Sequence, residues 1–91
     1  MPKARRLIIK GKVQGVYYRD STKSKALELG IKGWVRNLPN GDVEALIVGE
    51  PPELERMIEW AWDGPPMAVV RDVIIEEADC SGSFDGFEVR H

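Results

Sequence analysis

Gly11-Lys12-Val13-Gln14-Gly15-Val16-Tyr17-Tyr18-Arg19 carries the chain out of an apolar alternating segment, through a glycine turn, and into a helical one. On the N-terminal side, Arg6 to Val13 alternates as a half-buried strand does, with Leu7, Ile9, Gly11 and Val13 on one face. On the C-terminal side, Asp20 to Leu29 reads as a helix that places Tyr18, Thr22, Ala26 and Leu29 on one side and stops at Gly30. A strand, a glycine turn and a helix start in succession form a layout that holds anions. Turn N–H groups converge on the charge, and the helix N-terminus adds partial positive charge. An arginine at the end of such a turn offers a planar fork that matches two phosphate oxygens. The stretch is not a Walker loop, since no Gly-Lys-Ser/Thr closes it.

Further along, Lys32 to Asn37 reads as a second strand. The Pro39-Asn40-Gly41 cluster turns it into a third, Asp42 to Val48, with Val43, Ala45 and Ile47 on one face. Pro51-Pro52-Glu53 opens a second helix with proline and an acid where a helix N-terminus favours them. Its expected buried stripe is Leu54, Met57, Ile58, Ala61 and Trp62, with Trp60 at the edge, and Gly64-Pro65-Pro66 ends it. Val69 to Glu76 is a fourth strand. There Val70, Val73 and Ile75 break strict alternation and so predict a bulge. A polar loop, Asp79 to Gly82, leads to a short final strand, Phe87 to Arg90. The order predicts an α+β, ferredoxin-like split βαβ sandwich: βαββαβ plus a short C-terminal edge strand. Its sheet is antiparallel-rich, with both helices on one face. On the opposite face Ile8, Leu46, Val48 and Trp34 are left to cover by long Lys and Arg stems, or to self-association.

Ninety-one residues, 43% hydrophobic and 31% charged, predict one globular domain over 1–91. No apolar run approaches the roughly 20 residues of a membrane span, and Leu7-Ile8-Ile9 is too short for a signal-peptide core, so the expectation is a cytoplasmic protein without membrane contact. The lone Cys80 agrees with a reducing compartment and reads as structural or incidental. The net charge of −2 conceals an asymmetry: residues 1–40 hold ten basic and two acidic side chains, the remainder three basic and thirteen acidic. Either these are solvated faces of opposite sign, or the basic half steers a small anion toward Arg19. A calculated pI of about 5.4 argues against nucleic acid as a partner.

The first stretch resembles the Gly-x-Val-Gln-Gly-Val-x-Tyr/Phe-Arg signature of the acylphosphatase family. Gly33-Trp34-Val35-Arg36-Asn37-Leu38-Pro39-Asn40-Gly41-Asp42-Val43, followed by Gly49, resembles the family's second signature. The similarity extends through Gly64-Pro65-Pro66 to Gly86-Phe87-Glu88-Val89-Arg90. The resemblance implies the same ferredoxin-like fold and a small acyl phosphate as substrate, with inorganic phosphate as product and no metal or other cofactor. It implies that Arg19 binds the substrate phosphate together with backbone N–H groups of Gln14, Gly15, Val16, Tyr17 and Tyr18, and that Asn37 positions the attacking water. By their residue types alone, Arg19 would pair with a surface acid and Asn37 would be a turn residue. The resemblance also places the C-terminus near the arginine in some members, which suggests that the carboxylate of His91 pairs with Arg19. Two positions depart from the family pattern. Leu38 stands where some members carry a hydroxyl, and Tyr17 stands where small residues are common, which is expected to narrow the site. The expected protein is a monomeric, free-standing enzyme. The other reading is a non-catalytic anion-binding module, as in the acylphosphatase-like domains of larger carbamoyltransferases.

The absence of a catalytic set fits this chemistry. The only histidine is His91, there is no Cys-x-x-Cys, and no Ser-His-Asp set can be assembled. An acyl phosphate expels a carboxylate with pKa near ~4–5, so its leaving group departs without a proton. What remains for a protein to supply is positioning and charge neutralisation.

Overall fold

The fold was analysed in a computed structural model, which describes residues 2–79 and 84–90; Cys80, the stretch of the polar loop from there to Gly82, and His91 lie outside the described residues. The chain runs β1 (Lys3–Lys12), α1 (Tyr18–Leu29), β2 (Lys32–Asn37), β3 (Val43–Gly49), α2 (Pro51–Asp63), β4 (Val69–Ala78) and β5 (Phe87–Arg90). The five strands form one sheet in the order β4-β1-β3-β2-β5, antiparallel throughout except for the parallel β2–β5 pair. This is the predicted α+β ferredoxin-like arrangement, with β5 as the added edge strand.

Period-two alternation decides the core. Leu7, Ile9, Val35, Val43, Ala45, Ile47, Val73 and Phe87 point to the helix-covered face and are buried with Tyr18, Ala26, Leu54, Met57 and Ala61. Leu7, Ile9 and Ile47 are at most 1% exposed, and each contributes roughly 2 kcal/mol of burial. The bulge predicted in β4 is present. Lys10 pairs with Asp72 and Gly11 with Val70, so Arg71 is the extra residue. Gly33, at φ 134, permits β2 and β3 to close: a Cβ there would lie 1.9 Å from the Leu46 carbonyl oxygen.

One element of the predicted core is corrected. Trp62 is 45% exposed, while Trp60 packs against the core with its ring 5.5 Å from that of Tyr18. The stripe that faces the sheet is Leu54, Met57 and Ala61. Trp62 is rotated about 80° from Leu54 at 100° per residue, outside the buried sector, whereas Trp60 is long enough to reach Tyr18 from the other flank.

The helix-free face is closed by charge. Glu44, on the central strand β3, is 3% exposed. Arg6 and Arg36 reach its two carboxylate oxygens from flanking strands, each at 2.5 Å, and Arg6 also meets Glu76. The guanidiniums of Arg36 and Arg90 lie 5.4 and 4.8 Å from the Trp34 ring centroid, so arginine stems do cover part of this face. Burial would raise the Glu44 pKa, but hydrogen bonds from Arg36 and Arg6 outweigh it and hold the carboxyl below its usual value. A depressed folded-state pKa contributes stability that is fully present above the unfolded carboxyl pKa and lost as pH falls through the folded one. Glu44→Gln should therefore cost about 2 kcal/mol at pH 7. That is less than a fully buried pair would cost, because the two arginine side chains are 42% and 48% exposed and screened. Thermal unfolding from pH 7 to pH 2 checks this: the gap between variant and wild type should close at acid pH. A gap independent of pH would mean that Glu44 acts through packing rather than charge.

Candidate active site

The loop between β1 and α1 is held from below. Val13 and Val16 are buried at 1% and 5% exposure and anchor it in the core, leaving Gly15 and Tyr17 facing outward. Gly15 at φ 74 and Tyr17 at φ 64, ψ 25 both take the left-handed conformation. Left-handed residues in a turn bring successive N–H groups to one concave side, the geometry of an anion nest. Glycine does this at no steric cost. For tyrosine the conformation costs roughly 1–2 kcal/mol, and the surrounding packing must impose it. No backbone carbonyl among the described residues accepts from the N–H groups of Gln14, Gly15, Val16, Tyr17 or Tyr18. Five N–H groups without a backbone acceptor thus lie in one loop at the positive end of α1.

Tyr18 fixes where the helix begins. Its hydroxyl donates to the Ala61 carbonyl of α2 at 2.7 Å, and burial pushes the phenol pKa well above its ordinary value. Its carbonyl accepts from the Thr22 hydroxyl at 2.7 Å. The ring belongs to the core, as the sequence indicated, and its phenol stays neutral. Arg19 follows on the first turn. One terminal nitrogen of its guanidinium, Nη1, donates to the Arg90 carbonyl of β5 at 2.8 Å. The predicted partner, the His91 carboxylate, lies outside the described residues, but the strand that leads to it does reach the arginine.

The Gln14 side chain turns away from the nest. Its Nε2 donates to the carbonyls of Leu38 and Asp42, each at 2.8 Å. Those carbonyls belong to the β2–β3 turn, where Leu38 N–H donates to the Asp42 carbonyl at 2.8 Å and Gly41 N–H to the Leu38 carbonyl at 3.2 Å. The Asp42 side chain, held by Lys10 at 2.7 Å, and the Asn40 side chain, which accepts from the Asp42 N–H, tighten the same turn. Gln14 is thus the strut between the anion loop and the end of β2, where Asn37 sits. Asn37 has the strand parity of Gly33 and Val35 and points to the helix side, and its Oδ1 is buried without a hydrogen-bond partner. An orphaned buried acceptor is costly and calls for a donor.

These pieces meet in one cavity of about 380 Å³, lined by Val13, Gly15, Tyr17, Tyr18, Arg19 and Asn37, with Asp20 on its wall. The structure therefore brings Arg19 and Asn37, 18 positions apart, to one place, together with Gly15, Tyr17 and Tyr18 of the predicted loop, while Gln14 and Val16 are not among the residues that line it. Tyr17, expected to narrow the site, does line the cavity, although the residue is 78% exposed. Asp20 was not singled out in the sequence, where it reads only as an acid in a first helical turn. Among the described residues no helix is long and apolar enough to cross a membrane.

The comparisons agree on what this chain is similar to. The acylphosphatase family profile matches residues 5–89. An acylphosphatase of Marinobacter nauticus is 51% identical over 85 residues, covering 93% of this chain and 92% of that protein. The solved acylphosphatase of Coxiella burnetii superposes with TM-score 0.93 at 42% identity, over 98% of this chain and 93% of the other. The structure of acylphosphatase from Bacillus subtilis gives TM-score 0.94 at 30% identity, with both chains covered in full. With the profile spanning nearly its whole length, and relatives this similar over most of theirs, the chain belongs to the acylphosphatase family.

Proposed function

We propose that the protein is an acylphosphatase that hydrolyses the carboxyl–phosphate anhydride of small acyl phosphates, without a metal and without a covalent intermediate. Family membership supports the activity, and the lone acceptor of Asn37 carries the mechanism. Asn37 lines the same cavity as Arg19, Gly15, Tyr17 and Tyr18, and its Oδ1 has no partner in the protein, so a small rotation of the amide would let it accept from a water beside a phosphoryl group held by that loop. The donors from Gln14 to Tyr18 and the helix N-terminus neutralise the phosphoryl oxygens, and the Arg19 fork fixes their orientation. Attack forms a bond from the water oxygen to phosphorus as the bond from phosphorus to the acyl oxygen breaks in line. The electron pair leaves with the carboxylate, and the water proton passes to a phosphoryl oxygen, giving dihydrogen phosphate. No general acid is required, because the departing carboxylate is stable unprotonated at neutral pH. Preorganised donors and a placed nucleophile supply the catalysis.

Release of phosphate from benzoyl phosphate in the presence of EDTA tests this. Turnover should be undiminished by the chelator. Binding of inorganic phosphate with no turnover would place the chain among non-catalytic anion-binding modules, and loss of turnover in EDTA would overturn the metal-free mechanism.

A further inference from the structure

The mechanism uses the N–H of Tyr17 and leaves its side chain without a task, yet that side chain is the most exposed large apolar group among the described residues, at 78%. Its neighbours in the loop behave otherwise: Val13, Val16 and Tyr18 are all buried in the core, and Tyr17 neither joins that core nor packs against it. Tyr17 is one of the residues lining the cavity, and it is held there by a left-handed backbone at φ 64 that tyrosine does not adopt by preference. A large aromatic surface is therefore kept in water at the mouth of the site, where a bound group would gain by covering it.

The direction of the reaction says which group that is. In-line displacement sets the leaving oxygen opposite the attacking water, with phosphorus between them. On the proposed mechanism the nucleophile side is the wall formed by Asn37, which is half-buried where Tyr17 is exposed. The leaving side is therefore the open end, and the acyl group emerges past the rim where Tyr17 stands. We propose that the Tyr17 ring is the acyl-group contact of this site and makes the enzyme selective for flat, apolar acyl groups of the aroyl class over small aliphatic ones. This rests on the acylphosphatase reading above and adds the substrate class to it.

The test compares kcat/KM for benzoyl phosphate and acetyl phosphate in the wild type and in Tyr17→Phe, Tyr17→Gly and Tyr17→Asn. Glycine and asparagine accept the left-handed backbone, so neither replacement is expected to unfold the loop, and a thermal melt verifies that. A change in loop rigidity affects both substrates, whereas loss of a ring contact affects only the aromatic one. The benzoyl-to-acetyl ratio should fall roughly three- to tenfold in the glycine and asparagine variants, the size of one aromatic contact, and stay near wild type in Tyr17→Phe. A ratio unchanged within twofold in Tyr17→Gly, with both substrates turned over, overturns the proposal and leaves the acylphosphatase reading standing. Failure of the wild type to hydrolyse either substrate overturns that reading and this proposal with it.

Discussion

Arg19→Lys is expected to lower kcat/KM for an acyl phosphate by more than ~100-fold, nearly as much as Arg19→Ala, although it keeps the charge. A hundredfold loss is about 2.7 kcal/mol of transition-state stabilisation. The reason lies in how the side chain is held. One terminal guanidinium nitrogen donates to the Arg90 carbonyl at 2.8 Å, which sets the plane of the group and aims its remaining donors. A guanidinium can be held on one edge and still present a second to two phosphoryl oxygens. An ammonium is a point charge with rotatable donors and cannot fix an orientation in the same way. The phosphoryl group would still bind to the loop N–H groups but rotate away from the line of attack, and misplacement of about 1 Å is enough for a hundredfold loss. Steady-state kinetics on benzoyl phosphate checks this. Retention of most activity in Arg19→Lys would show that charge alone suffices and that the contact to β5 is incidental.

The elements were legible because pattern and punctuation agreed. Alternation marked the strands, Gly30 and Gly64-Pro65-Pro66 ended the helices, and broken alternation around Val70 and Val73 announced the bulge that the register shift at Gly11 displays. What stayed hidden depended on neighbours distant in sequence. Glu44 falls on the face that alternation assigns to solvent; it is buried because its central strand lies between two strands that each offer an arginine. Trp62 read as core because its residue type outweighed its angle on the helix. In the site, the glycine turn and the arginine were legible as an anion-binding pattern, and Asn37 entered only through the resemblance. The left-handed conformation of Tyr17 had no local signal at all, since tyrosine has no preference for it. Nor could spacing reveal that Gln14 would bond the turn beyond β2, because that contact spans 24 and 28 residues and exists only once β1, β3 and β2 lie side by side.

The second large effect separates binding from chemistry. Asn37→Ala should lower kcat by about 100-fold or more while changing the affinity for inorganic phosphate by less than about threefold, because in the proposed mechanism phosphate is held by groups this substitution does not touch. The groups proposed to hold it are the N–H donors of residues 14 to 18 and Arg19, and Arg19 donates to the Arg90 carbonyl of β5. The fold should tolerate the change. The buried oxygen that is removed has no hydrogen-bond partner, so no interaction is broken and an uncompensated acceptor disappears; stability should stay level or rise slightly. The nearby turn is secured independently by the Leu38 N–H, the Gly41 N–H and the Gln14 side chain. A purely structural asparagine would behave in the opposite way. Its loss would loosen the turn, disturb the loop through Gln14 and weaken phosphate binding together with turnover. Phosphate titration, kcat and a thermal melt on the same variant therefore decide the matter. If affinity and kcat fall in parallel, Asn37 shapes the turn rather than placing the water.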